Sequence, residues 1–191
     1  MSPVTLGAFG ICSALLSLAA GTLQAQAAGS ASMVSESAPP HVRCLDNRAE
    51  RLLADALNRS ATVRELVVRL GASDVIVYVT TAAPLVRASH MPRGNTTFLS
   101  ATPSDRYLQV WVDLRRPEAE RTAVLGHEFQ HALEFAAHVD ARDAVAFVRV
   151  FERLGAESGS GPARVGSRQF ETAPARNVEA RVFAEVAHNR R

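Results

Sequence analysis

Cysteine is scarce in this chain and lysine is missing altogether. The 191 residues include 2 Cys, 1 Trp and 2 Tyr, and all 21 basic side chains are arginine. Cys12 lies in an apolar N-terminal run, so the part that follows holds only Cys44 and can close no internal disulfide. Its stability must come from a packed core. One cysteine is also a poor supply for a buried structural zinc, which wants four closed protein ligands. Cys44 itself is read as a buried or unpaired thiol rather than a nucleophile. The formal net charge is only +2, with acids and bases interspersed, so the basic stripe of a nucleic-acid binder is missing and no nucleic-acid partner is expected. The absence of lysine is attributed to genomic base composition, and no function is drawn from it. A composition 47% hydrophobic and 21% charged excludes general disorder and suits one globular domain.

Residues 1–35 carry no charged side chain. The run VTLGAFGICSALLSLAAGTL is followed by Ala25-Gln26-Ala27, small residues at signal-peptidase spacing, so residues 1–27 are expected to be a signal peptide and the protein secreted or periplasmic. The start of the run lacks Arg and Lys. The alternative is an uncleaved anchor, since about 20 apolar residues suffice to span a bilayer, and a membrane partner is expected only in that case. Ile11 before Cys12 does not fit a lipidation motif. Residues 28–40, small and polar and ending in Pro39-Pro40, read as a linker, which leaves 41–191 as the domain.

Hydrophobic spacing predicts two opening helices, DNRAERLLADALNRS and SATVRELVVRLG, the second stopping at Gly71. The period then changes. Residues 74–81 form a β-branched run, 95–102 a second candidate strand, and 106–114 alternate Leu108, Val110, Val112 and Leu114 against Tyr107, Gln109, Trp111 and Asp113. The short connection between the last two strands suggests an antiparallel hairpin. Pro117 opens a helix running to about His138, with Glu118 and Glu120 in the first turn, where the dipole favours acids. A further helix ends at Gly155, a Gly-rich loop follows, and a last helix begins near Pro174. No internal repeat is present. The fold class expected is α+β, a small antiparallel or mixed sheet packed on the 117–138 helix with flanking helices.

Within that helix GHEFQHALE places His127 and His131 four residues apart, hence on one face and close enough to share a metal ion. Leu125, Phe129, Ala132, Leu133 and Ala136 form an apolar stripe, which predicts a helix buried on one side with the histidines toward a cleft.

His127, Glu128 and His131 resemble the H-E-x-x-H motif of the zincin metallopeptidases, and the order of elements over 74–138 resembles that family as well. The resemblance implies an exported zinc-dependent peptidase of gluzincin-like type acting on a peptide or protein, with Zn²⁺ on His127, His131 and a third ligand. Glu128 would be the catalytic base, taking a proton from a zinc-bound water and returning it to the leaving amine. By the same resemblance, residues 106–114 would border the cleft and pair with extended substrate. A monomer is expected. The competing reading is a non-catalytic zincin-like metal-binding or interaction domain, which loss of Glu128 would have favoured.

The third ligand is less direct. Glu134 lies seven residues from His127, roughly 10 Å along an unbroken helix, too far to share one ion. The metzincin spacing is also missed, because Glu134 stands where a glycine is required and His138 is one residue out of place. By gluzincin resemblance a glutamate on a later helix is required, from Glu152, Glu171, Glu179 or Glu185, and Glu171 is chosen because a Gly-rich loop precedes it. Glu134 is left open between orienting an imidazole and lining the cleft, and His138 is read as a cleft-edge residue. Tyr78 and Tyr107 are weighed as oxyanion partners and read as strand residues with surface hydroxyls.

Overall fold

The computed structural model describes residues 40–82, 92–157 and 171–188. The expected signal segment, all but the last residue of the expected linker, residues 83–91 and the Gly-rich stretch 158–170 lie outside the described residues. No helix among those described is long and apolar enough to cross a membrane.

Strand β1 (Val42–Cys44) leads into helices α1 (Asn47–Arg59) and α2 (Ala61–Gly71), and β2 (Val75–Thr80) follows. Asp46 caps α1, its Oδ1 accepting from the Arg48 and Ala49 amides at 3.0 and 2.9 Å. Its other oxygen accepts from the Thr81 amide and the Thr80 hydroxyl, which ties the start of α1 to the end of β2. Although burial opposes it, the hydrogen bonds from Thr81, Ala49 and Thr80 hold this carboxyl at about 2. Ser60 ends α1 and caps α2, accepting from the Val63 amide at 3.0 Å.

Strands β3 (Gly94–Ala101) and β4 (Arg106–Val112) form the expected antiparallel hairpin. The sheet is mixed, in the order β1-β2-β4-β3, with β1, β2 and β4 parallel and β3 antiparallel at the edge. The helices α1 and α2 supply the crossover that parallel pairing of β1 and β2 requires. One expectation is corrected by this order. Because β4 is paired on both sides, its backbone has no free edge for a substrate, and the edge strand is β3. The two tyrosines are strand residues on the side of the sheet away from the core. Val75, Val77, Val79, Leu108, Val110 and Val112 are fully buried on the core face, so alternation puts Tyr78 and Tyr107 on the other face. There they stack at 6.3 Å, and the Tyr78 hydroxyl accepts from Arg43.

Helix α3 (Glu118–Ala136) lies against the core face of the sheet, and α4 (Ala144–Glu157) and α5 (Ala173–His188) complete the layer. The expected one-sided stripe understates the burial of α3. Thirteen of its residues are buried, including Gly126, His127, Glu128 and His131 as well as Leu125, Phe129 and Phe135. Close packing by α5 explains part of this: a Cβ on Gly126 would stand 2.9 Å from Val182 Cγ2, so glycine lets the two helices approach.

The C-terminal end of α3 is held by Arg106, which is fully buried. Its guanidinium forks onto Asp74 at 2.8 and 2.6 Å and donates to the carbonyls of Phe135, Ala136 and His138 at 3.1, 3.0 and 2.8 Å. The same group lies over the Phe135 ring. A cation at the carbonyl end of a helix satisfies otherwise unpaired acceptors and complements the dipole.

Candidate metal centre

His127 and His131 project from the middle of α3 with ring centroids 4.6 Å apart. They are 6% and 4% exposed, so the imidazoles have left water behind and any unpartnered ring nitrogen is costly. His131 Nε2 is unpartnered, and His127 Nδ1 faces a carboxylate oxygen of a later helix. Phe151 of α4 packs edge-on against His131 at 5.2 Å, excluding solvent from that side.

The ring of His131 is oriented by its neighbour one turn on. Nδ1 meets Glu134 Oε2 at 2.8 Å, and Glu134 Oε1 accepts from the Thr172 hydroxyl at 2.7 Å. Thr172 also caps α5, accepting from the Ala175 amide, so the start of α5 fixes an imidazole on α3. A carboxylate on one ring nitrogen leaves the other available to a ligand. Glu134 therefore belongs to the orienting shell, the role its position left open.

Glu128 is 6% exposed and lies beside both histidines. The Thr96 hydroxyl of the edge strand donates to its Oε2 at 2.7 Å. Room for the other oxygen comes from Gly94, where a Cβ would sit 2.8 Å from Glu128 Oε1 and 2.5 Å from Val124 Cγ1. Burial pushes the Glu128 carboxyl above its ordinary range, against the pull of His131, His127 and the Thr96 hydrogen bond.

The four later glutamates separate cleanly. Glu152 is exposed on α4. Glu185 is occupied at the start of α2, where it accepts from Ser60, from the Thr62 hydroxyl at 2.7 Å and from the Thr62 amide at 3.2 Å. The other two come to His127. Glu171 Oε1 lies 4.0 Å from Nε2, and Glu179 Oε2 lies 3.1 Å from Nδ1. The latter is a close pairing of a buried imidazole with a carboxylate, and against burial it is the strongest influence raising the pKa of the one and lowering that of the other. The Glu179 side chain is 19% exposed against 46% for Glu171. Arg93, just before β3, binds the second oxygen of Glu179 at 2.5 Å.

These charges set the titration of the pair. Burial disfavours a charged His127, but Glu179, Glu128 and Glu171 around it raise its pKa overall. Contact with His127 and, against burial, with Arg93 holds Glu179 at about 2. His138 lies outside this cluster. Its carbonyl binds Arg106, and its side chain lines a separate cavity of about 320 Å³ with Asp140, Arg149 and Arg153.

Among the described residues, no three His, Cys, Asp or Glu side chains converge as they stand on one ion position. The donor set nevertheless suits a divalent cation such as zinc: two buried imidazoles stand side by side, one with an unpartnered nitrogen, and carboxylates lie beside them. Two ligands on a tetrahedral zinc lie roughly 3.3 Å apart, given bonds of about 2.0–2.1 Å. The 3.1 Å approach of Glu179 to His127 is close to that separation, and the 4.0 Å of Glu171 is wider.

Arg93, Thr96 and Thr172 carried no signal on their own, because each acts through a carboxylate that only the fold brings near. No family model, curated protein or solved structure matches the chain.

Proposed function

We propose that the chain is a zinc-dependent peptidase of zincin type, with His127 and His131 as ligands and Glu128 as general base. The observation that carries this reading is the pair of adjacent buried imidazoles, one with an unpartnered nitrogen and the other facing carboxylates, flanked by a buried glutamate with an upward-shifted pKa. Of the two glutamates at His127, Glu179 is the better third donor. It is closer, more buried and carried on a helix packed along α3, whereas Glu171, the ligand suggested by sequence, stands more exposed ahead of that helix.

When bound, zinc would supply a Lewis acid for a peptide carbonyl and acidify a coordinated water. The protein's own groups do the rest. Thr96 anchors Glu128 Oε2 and leaves Oε1 to accept a proton and pass it to the departing amine. A raised pKa suits the first half of that task, since a carboxylate that binds its proton more firmly accepts it more readily. Glu134 keeps Nε2 of His131 directed away from its own hydrogen bond. The outer edge of β3 has no strand partner among the described residues, so an extended peptide could add there beside Glu128.

The test is zinc content and turnover together. One zinc per chain, lost in His131→Ala and in Glu179→Gln but kept in Glu171→Gln, supports the ligand set. Loss in Glu171→Gln instead transfers the third position to Glu171. Glu128→Gln should keep the metal and lose at least a hundredfold in cleavage of an unstructured protein, in line with removal of a general base. A zinc-loaded wild type that cleaves neither proteins nor peptides would favour a metal-binding domain without turnover.

A further inference from the structure

We infer that Arg93 is a positioning residue, holding one oxygen of Glu179 so that the other is presented to the histidine pair. This rests on the reading of His127, His131 and Glu179 as a metal site and adds to it the group that sets how the glutamate is offered. The two oxygens of Glu179 are divided between different partners: Oε1 meets the Arg93 guanidinium at 2.5 Å, and Oε2 faces His127 at 3.1 Å. A carboxylate tied in this way cannot turn outward to water, and only one of its oxygens is free for an ion.

The need for such a tether follows from the surrounding charge. Glu128, Glu134, Glu171 and Glu179 all gather around two imidazoles, and like charges this close repel unless each is held. Glu128 has the Thr96 hydroxyl, and Glu134 has Thr172 and His131. Glu179 has Arg93, whose charge offsets part of the excess as well as fixing direction. Arg93 is firmly based, because its carbonyl accepts from the Asp113 amide at 2.9 Å, which extends the β3–β4 pairing by one residue. Its guanidinium thus spans from the start of the edge strand to α5 and joins the two walls of the cleft.

The experiment uses the full chain stripped of metal, with zinc affinity measured by competition against a chromophoric chelator and the ligand field read from the cobalt(II) absorption spectrum. Arg93→Met is expected to weaken zinc binding by about 10–100-fold and shift the cobalt spectrum, as loss of an orienting partner does. Arg93→Lys should recover part of the affinity. In the double variant with Glu179→Gln, Arg93→Met should add little, because both changes act through one carboxylate. Wild-type affinity and spectrum in Arg93→Met, with affinity lost in Glu179→Gln, would overturn the positioning role while leaving the metal site intact. So would unchanged metal binding with a raised KM, which would make Arg93 a substrate contact. Full affinity in Glu179→Gln with loss in His131→Ala would instead overturn the ligand reading beneath it. If Arg93→Met fails to fold, Arg93→Gln, which keeps a donor, takes its place in the same comparison.

Discussion

Glu134 and His131 face each other across one turn of α3, with Oε2 and Nδ1 2.8 Å apart, and the glutamate's other oxygen is taken by Thr172. His131 is thereby oriented by a carboxylate of its own helix, and that carboxylate is in turn held by Thr172 at the start of α5.

Removing that partner should be felt at the metal. Glu134→Ala is expected to lower zinc affinity by about 10–100-fold. Thr172→Val should cost less, because it loosens Glu134 without removing it. Equal affinity in all three proteins, measured by chelator competition, would reduce Glu134 to a polar wall of the cleft.

Arg106 offers a test of stability remote from the histidines. Arg106→Met leaves the last carbonyls of α3 without their cation and Asp74 with Arg142 at 3.5 Å, and breaking a pair buried on the arginine side should cost about 3 kcal/mol, the low end for buried pairs. Denaturant unfolding of the metal-free protein should show a lower midpoint. Arg106→Lys should recover only part of the loss, since an ammonium cannot fork onto Asp74 and reach the helix end at once.

Gly94 tests the fit between the edge strand and Glu128. A methyl group there would stand 2.5 Å from Val124 Cγ1 and 2.8 Å from Glu128 Oε1. Gly94→Ala should destabilise by about 1–3 kcal/mol through overpacking. It should also lower turnover more than zinc content. Wild-type thermal stability and activity in this variant would show that the strand shifts freely.

The pH dependence of the metal-free protein follows from the raised pKa values of His127 and Glu128. A group whose pKa is higher in the folded state binds more protons there, so stability falls as pH rises. For His127 the contribution is complete below its ordinary value of 6.5 and is lost as pH climbs through the raised one. Glu179 acts in the opposite sense, with its contribution present above 4.5 and lost as pH falls through about 2. The melting temperature of the metal-free chain should therefore be higher at pH 6 than at pH 8. His127→Asn should flatten that slope, and an unchanged slope would argue that the charges are already screened.

Much of the fold was legible because its signals are local. The apolar spacing in α1 and α2, the alternation in β4 and Pro117 before α3 each mark an element without help from the rest of the chain. Strand β1 was not legible, since three residues are too few to show alternation. The order of the sheet was hidden as well, because parallel pairing depends on contacts far apart in sequence. Arg106 is the sharpest case: a charged residue opening a strand reads as exposed, and only the end of α3 explains its full burial. At the site, the histidine spacing and Glu128 were visible in a single turn of helix. Arg93, between Pro92 and Gly94, read as loop, and the choice among the later glutamates needed the path of α5.

The depth of the two imidazoles has a kinetic side. They are 6% and 4% exposed, whereas Glu171 beside them is 46% exposed. A cation arriving from solvent would meet that carboxylate first and the imidazoles only afterwards. Residence time would then be governed by the burial of the imidazoles as much as by the ligands themselves, and a chain that loads its ion slowly would also surrender it slowly to a chelator.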